Sequence, residues 1–111
     1  MNAEIKREWI ERLRSGEYKQ GMFALNRGQT FCCLGVLCEI AVEKGVAIRV
    51  DTDRTFIRYR DNDGNTCNAT LPRALQTWSG LGADDIGELV LQNDRKKRSF
   101  KEIADYIESG L

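Results

Sequence analysis

The chain has no histidine among its 111 residues, and this absence excludes several kinds of chemistry. Histidine is the usual base beside a serine or cysteine nucleophile and the commonest protein ligand of metal ions. The sequence also has neither of the glycine-rich phosphate motifs, GxxxxGKS/T and GxGxxG. We therefore expect a protein that is not an enzyme and that has no metal site and no cofactor.

Net charge is absent too, because 17 basic residues balance 17 acidic ones. A general nucleic-acid binder normally carries a basic excess, so we do not expect that function. No apolar run approaches the roughly 18 residues of a membrane span. The first six residues include charges and no apolar stretch follows them, which predicts no secretory signal and no membrane partner. The sequence indicates a cytoplasmic protein.

Proline occurs once, and 41% of the residues are hydrophobic and 31% charged, which is typical of a folded globular chain. The length predicts one domain, residues 1–111. Hydrophobic spacing predicts an α+β fold, in which helices pack around a central cysteine-containing helix beside a small two- or three-stranded antiparallel sheet.

The expected elements follow from caps, turns and periodicity. The first half comprises a helix between Asn2 and Gly16, an irregular segment, a central helix capped by Thr30 and ended by Gly45, and strands at 46–50 and 56–60. The second half comprises an Asp63-Gly64 turn, a strand at 66–70, a short helix after Pro72, a helix at 84–91 and a last helix from the Ser99 capping box to about Ser109.

The four cysteines are Cys32, Cys33, Cys38 and Cys67, and a reducing compartment predicts free thiols. On a helix Cys33 would point into the apolar face with Cys38 beside it, so both are expected to be small core residues. Two alternatives stay open. One is a reactive thiolate at Cys32, near the polar edge of the helix start; the other is a four-cysteine metal site, which lacks the usual C-x₂-C spacing.

Acidic residues cluster in three places. The segment Asp61–Asn65 faintly resembles a calcium loop but lacks the glycine and glutamate that such a loop needs, so a solvated hairpin tip is expected. Proximity alone would allow acid–base roles for two further pairs, although a helix start or a turn explains them better. These pairs are Asp84 with Asp85 and Asp51 with Asp53.

Two basic regions are candidates for binding an anion. In the first, unpaired amides at the start of the central helix lie near cations, and a glycine would let a ligand approach the backbone. The second region is the run Arg95–Arg98. Arg58 and Arg60 share one strand face with Phe56 and could add to either region. The candidate ligand-binding residues are Tyr18, Lys19, Gln20, Arg27, Gly28, Thr30, Arg58 and Arg60.

Three blocks of sequence carry a family resemblance: WIERLRSGEYKQ at 9–20, FCCLGVLC at 31–38, and Asn93-Asp94 followed by SFKEIADYIE at 99–108. In this order they resemble a family of small uncharacterised proteins of tailed bacteriophages and prophages. The resemblance implies a viral accessory protein in the host bacterial cytoplasm. Small phage proteins of this kind often bind host proteins or the signalling nucleotides of antiphage defence, although no motif here carries that inference.

The leading hypothesis is a non-catalytic phage accessory protein that binds a small anionic ligand and sequesters a nucleotide signal of antiphage defence. The alternative is a protein-interaction module that modulates a host factor. A structural domain that forms homo-oligomers and an enzyme of unusual type stay open behind these two.

Overall fold

The computed structural model describes residues 1–51 and 56–111, without the side chain of Asp51, so the acidic pair of Asp51 and Asp53 lies outside the described side chains. The α+β prediction is confirmed by five α-helices and one three-stranded antiparallel sheet. No described helix is both long enough and apolar enough to cross a membrane. The elements are α1 Ala3–Ser15, α2 Cys33–Glu43, β1 Ala47–Asp51, β2 Ile57–Asp61, β3 Thr66–Cys67, α3 Arg73–Ser79, α4 Ala83–Val90, a π-helical turn Leu91–Arg95 and α5 Phe100–Gly110.

Helix α2 forms the centre of the hydrophobic core, as the sequence predicts. Eight of its eleven residues are buried, and a helix that is apolar on nearly all sides has to be enclosed by its neighbours. Helix α1 packs on α5 and on α2. The indole nitrogen of the fully buried Trp9 donates a hydrogen bond to the carbonyl of Cys33, at 2.9 Å, which ties α1 to the start of α2.

The sheet runs in the order β1-β2-β3 and has two unlike faces. On one face Ala47 and Tyr59 are buried in the core beside α2. Because side chains alternate along a strand, the neighbouring residues point the other way. We call this second side the outer face. It carries Ile48, Val50, Arg58, Arg60 and Thr66, and Ile48 is 56% exposed.

The predicted start of the central helix at Thr30 is wrong. Helix α2 begins at Cys33, its N-cap residue is Cys32, and the side chain of Cys32 forms no capping hydrogen bond. The carbonyl of Thr30 instead accepts a hydrogen bond from the amide of Arg27, which closes a turn. The side chain of Thr30 lies so close to Gly21 that a Cβ there would be 2.4 Å from its Oγ1. Contacts within the loop before α2 therefore determine the position of Thr30, which lies outside the helix.

Two further elements differ from their predicted bounds. Strand β3 ends at Cys67 instead of residue 70, because the carbonyl of Asn68 accepts a hydrogen bond from the amide of Leu25, which belongs to the loop before α2. Helix α4 continues beyond Val90 as the π-helical turn Leu91–Arg95, which the periodicity does not reveal.

The predicted helix caps and the predicted turn are confirmed where the prediction depends only on residues close together in sequence. Asn2 caps α1 through its side-chain oxygen, and Gly16 ends that helix in a left-handed conformation. The capping box of Ser99 and Glu102 opens α5. The Asp63-Gly64 turn also forms, with Gly64 at φ +88°.

The tip of this hairpin is less solvated than the sequence predicts, because the carboxylate of Asp61 is buried. It accepts hydrogen bonds from the amides of Asp63, Asn65 and Ala74. Burial alone would raise the pKa of Asp61, but the hydrogen bonds from Ala74 and Asn65 outweigh it, so the pKa lies below its ordinary value. This carboxylate joins the hairpin to α3.

Candidate functional site

Four of the predicted site residues act mainly as supports of the loop before α2, and these are Tyr18, Lys19, Gln20 and Thr30. The ring of Tyr18 meets Phe31 edge-on, with centroids 5.2 Å apart, and its hydroxyl accepts a hydrogen bond from Arg12. The carbonyl of Lys19 accepts a hydrogen bond from the amide of Phe31, while its side chain is exposed. Gln20 and Thr30 face other parts of the protein, so these four side chains do not converge on one ligand.

The amides expected to be open at the start of the central helix are not found there. The amide of Cys33 donates a hydrogen bond to the side-chain oxygen of Asn93 at 3.2 Å, inside the protein. Cys32 and Cys33 are both buried, and the carboxylate of Asp94 contributes a nearby negative charge. The anion site predicted from unpaired helix amides is therefore wrong in its geometry.

Asn93 is the residue that the sequence prediction missed. It is buried in the π-helical turn, where its Oδ1 accepts from the amide of Cys33 and from Gln20 Nε2, and its Nδ2 donates to Gly21 O and Asp94 Oδ1. All of its amide hydrogen-bonding capacity is thus used. Asn93 belongs to the block of residues that carries the family resemblance, and this was the signal available.

The turn that holds Arg27 is locked onto the sheet by Asn26. Asn26 is buried, its Nδ2 donates to the hydroxyl of Tyr59 at 3.0 Å, and its Oδ1 accepts from the amide of Gly28 at 2.7 Å. Its carbonyl accepts from the amide of Ile57 at 2.9 Å. Gly28 has φ +91°, which glycine adopts readily. As a result the guanidinium of Arg27 lies over the ring of Phe56, 5.4 Å from its centroid.

Two more predicted residues, Arg58 and Arg60, lie on the outer face of the sheet. Arg60 is exposed and donates from Nε to Thr66 Oγ1 at 3.1 Å. Arg58 is half-buried, and its Nε is hidden from solvent without a hydrogen-bond partner. No carboxylate whose side chain the structure describes forms an ion pair with Arg27, Arg58 or Arg60. We call Arg27, Phe56, Arg58 and Arg60 the arginine face.

Arg49, by contrast, is an arginine whose charge is neutralised by a carboxylate. On the inner side of the sheet Arg49 donates two hydrogen bonds to Glu39, at 2.6 and 2.9 Å, and the same carboxylate accepts from Tyr59. Burial, followed by this bond to Glu39, raises the pKa of Tyr59 above its ordinary value. The sheet therefore separates an arginine paired with Glu39 on one side from arginines on the other side that pair with no described carboxylate.

The cysteines offer no activated thiol. Burial raises the pKa of Cys32 to about 11, and the amides of Gly35 and Leu34 offset only part of this effect. The alternative of a reactive thiolate at Cys32 does not fit the structure, because the residue is enclosed instead of lying at a polar edge. Cys33 and Cys38 are buried core residues, as predicted, and all four cysteines are free.

Two concave surfaces accompany these features. The larger, about 380 Å³, lies along α1 and α5 and carries charges of both signs, with Arg14 already paired to Asp105 and Glu108. Mixed charge makes it a poor anion site. The smaller, about 210 Å³, is lined by Gln20, Met22, Asn93 and Lys97, and we call it the asparagine cleft. Among the residues that the structure describes, the cysteine, aspartate and glutamate side chains form no group of three or more that could hold a metal ion.

Backbone strain gathers at the asparagine cleft. Lys97, which lines it, has φ +52°, and Phe23, which follows the lining residue Met22, has φ +68°. They are the non-glycine residues with positive φ in the ranges that the structure describes, and such a conformation costs about 1–2 kcal/mol per residue. The amide of Phe23 is held by Asp94 Oδ1 at 3.1 Å, while its side chain is 62% exposed.

Comparison with known proteins gives one match. The model of a family described as "Domain of unknown function (DUF8296)" covers residues 1–111. No curated protein and no solved structure matches the chain.

Proposed function

The chain belongs to the DUF8296 family, whose description names no activity, and we propose that it is a non-catalytic protein that binds a small anionic ligand on its arginine face. The observation that carries the proposal is the buried, unpaired Nε of Arg58 beside Arg60, on a face where no described carboxylate neutralises them. A buried polar group without a partner is costly, so a ligand oxygen that reached it would gain a strong charge-assisted hydrogen bond.

The ligand class follows from the geometry of the arginines. Arg58 and Arg60 are two residues apart on one strand, which places their Cα atoms about 7 Å apart on the same side. Guanidinium groups bind phosphate and carboxylate through paired N–H donors. A ligand with adjacent phosphates or with a phosphodiester could therefore contact both arginines at once.

The aromatic neighbour favours a nucleotide over a bare anion. Arg27 lies over Phe56, and both the guanidinium plane and an aromatic ring are surfaces on which nucleobases stack. Phe56 shares the strand alternation of Arg58 and Arg60, next to β2. A phosphate on the arginines and a base near Arg27 and Phe56 would account for all four members of the face.

Sequestration is the activity that suits these side chains. The chain has no histidine, and the thiols of Cys32, Cys33 and Cys38 have raised pKa values, so none of them is an activated nucleophile. The phage resemblance adds the setting that we propose, a host bacterial cytoplasm in which holding a nucleotide signal of antiphage defence would be sufficient for function. This setting remains a prediction.

Isothermal titration with cyclic and linear nucleotides, inorganic phosphate and pyrophosphate tests the proposal. We expect heat with at least one nucleotide, and Arg58→Ala and Arg60→Ala should each weaken its binding about tenfold or more. Phe56→Leu should weaken nucleotide binding and leave inorganic phosphate unaffected.

Lys101→Ala is the matched control, because Lys101 is an exposed cation on α5 that forms no ion pair with any carboxylate the structure describes, so it should be replaceable without effect. No heat and no thermal shift across the whole panel would end the proposal. Binding that survives the combined loss of Arg58 and Arg60 would also end it.

A further inference from the structure

The asparagine cleft shares no residue with the arginine face, and its exposed groups are chemically different. Gln20 donates one amide hydrogen to Asn93 Oδ1 at 3.0 Å and the other to the carbonyl of Arg98 at 2.7 Å, and its Oε1 has no hydrogen-bond partner among the described residues. Lys97 brings an ammonium group that forms no ion pair with a described carboxylate, and Met22 brings an adaptable apolar side chain. The cleft thus offers an acceptor, a cation and an apolar wall.

Phe23 adds an aromatic side chain next to this cleft. Its backbone is fixed by Asp94, and Asp94 is in turn held by Nδ2 of the buried Asn93 at 2.8 Å. The chain thereby holds a large apolar ring at 62% exposure in a conformation that disfavours any residue with a Cβ. Strain that is held by hydrogen bonds leading to a buried side chain, here Asn93, and that exposes an apolar group is typical of a binding element.

The charge around the cleft indicates the partner. In the run Arg95–Arg98, Lys96 pairs with Glu88 at 3.8 Å and Arg98 with Glu102 at 3.7 Å. Arg95 and Lys97 have no ion pair with any described carboxylate, so this rim is positive. A partner that complements it has to supply negative charge next to an apolar side chain.

We infer that the asparagine cleft binds an acidic segment of a partner protein, with an apolar side chain of that segment against Phe23 and Met22 and a carboxylate at Lys97. Aromatic and methionine side chains are enriched at the centres of protein–protein contacts, and charged side chains at the rim complement the charge of the partner. From the sequence alone, the basic run Arg95–Arg98 could bind either a phosphate or an acidic partner. Phe23, whose amide is held by Asp94 next to that run, favours an acidic protein segment, because its exposed ring needs an apolar side chain to contact.

The test uses the whole chain and a fluorescent peptide with acidic residues around a central leucine. Amide NMR spectra should show shifts at Gln20, Met22 and Lys97 on titration. Phe23→Gly and Lys97→Gly should each weaken binding about tenfold, and neither should lower the melting temperature, because glycine relieves the positive φ. A side chain with a merely structural role would lower the melting temperature when removed.

Three control results would overturn the inference. The first is a peptide with serine in place of leucine that binds equally well, which would leave only a general cationic surface. The second is a peptide response confined to the outer face of the sheet. The third is a response at the cleft to short RNA or inorganic polyphosphate but not to the acidic peptide. Arg58→Ala should leave peptide binding unchanged, which keeps this test separate from that of the arginine face.

Discussion

A Cβ built on Gly35 would stand 1.8 Å from the carbonyl oxygen of Leu25, so the central helix and the loop before it meet backbone against backbone. The same carbonyl accepts the amide of Cys32 at 3.3 Å. The glycine inside the FCCLGVLC block is therefore required by this close approach. It lets the loop that carries Arg27 lie directly on α2.

Gly35→Ala should destabilise the protein by about 3 kcal/mol, because the added methyl group would displace the loop backbone. Gly87→Ala is the matched control: Gly87 also lies within a helix, but nothing is within 4 Å of a Cβ there, so this change should stabilise by about 0.5–1 kcal/mol. Urea unfolding measures both. Equal midpoints for Gly35→Ala and the unmodified protein would contradict the close contact.

Asn93→Ala should cost about 2–4 kcal/mol of unfolding free energy, since it would leave the buried amide of Cys33 and the partly buried carbonyl of Gly21 without Asn93 as their partner. Asn68→Ala, at an exposed asparagine, should stay within about 0.5 kcal/mol of the unmodified protein. The measurement is again urea unfolding. If the two variants unfold alike, the four hydrogen bonds of Asn93 are not the tie described above.

Asp61 should make stability depend on pH in acid. Its pKa is lower folded than unfolded, so its contribution is complete above the unfolded value of about 3.9 and is lost as the pH falls through the lower folded value. Asp61→Asn should destabilise by about 2 kcal/mol at neutral pH. The gap between variant and unmodified protein should shrink on acidification, as thermal unfolding at a series of pH values would show; a constant gap would refute this role.

The thiols should resist alkylation while the protein is folded. Burial raises the pKa of Cys32, Cys33, Cys38 and Cys67, and only Cys67 is partly exposed. With iodoacetamide near pH 7, we expect slow labelling of Cys67 alone, and labelling of all four in denaturant. Mass spectrometry of digested protein identifies the sites. Rapid labelling of Cys32 in the folded protein would restore the reactive thiolate that the structure contradicts.

The sequence was informative where the physical cause is local. Asn2 and Ser99 cap helices through residues two or three positions away, and the strand alternation of Arg58 and Arg60 needs only period two. Trp9 and the apolar spacing of α2 likewise identify the core, because burial follows periodicity.

The failures have causes that lie far along the chain. Thr30 looks like a cap by type, but its position is set by Gly21 and the turn from Arg27. Asn93 finds partners 60 to 73 positions away in the chain, which no local pattern reveals. For the same reason the placement of Arg27 beside Phe56, through Asn26, appears only in three dimensions.

The hydrogen bond from Trp9 to Cys33 also makes hydrogen exchange at the indole a probe of how often the core opens. An indole proton in a side chain with no exposed surface can exchange with deuterium only when the α1–α2 contact comes apart. Its exchange rate would therefore report the opening of the core itself, whereas the amides of the arginine-bearing loop report more local motions.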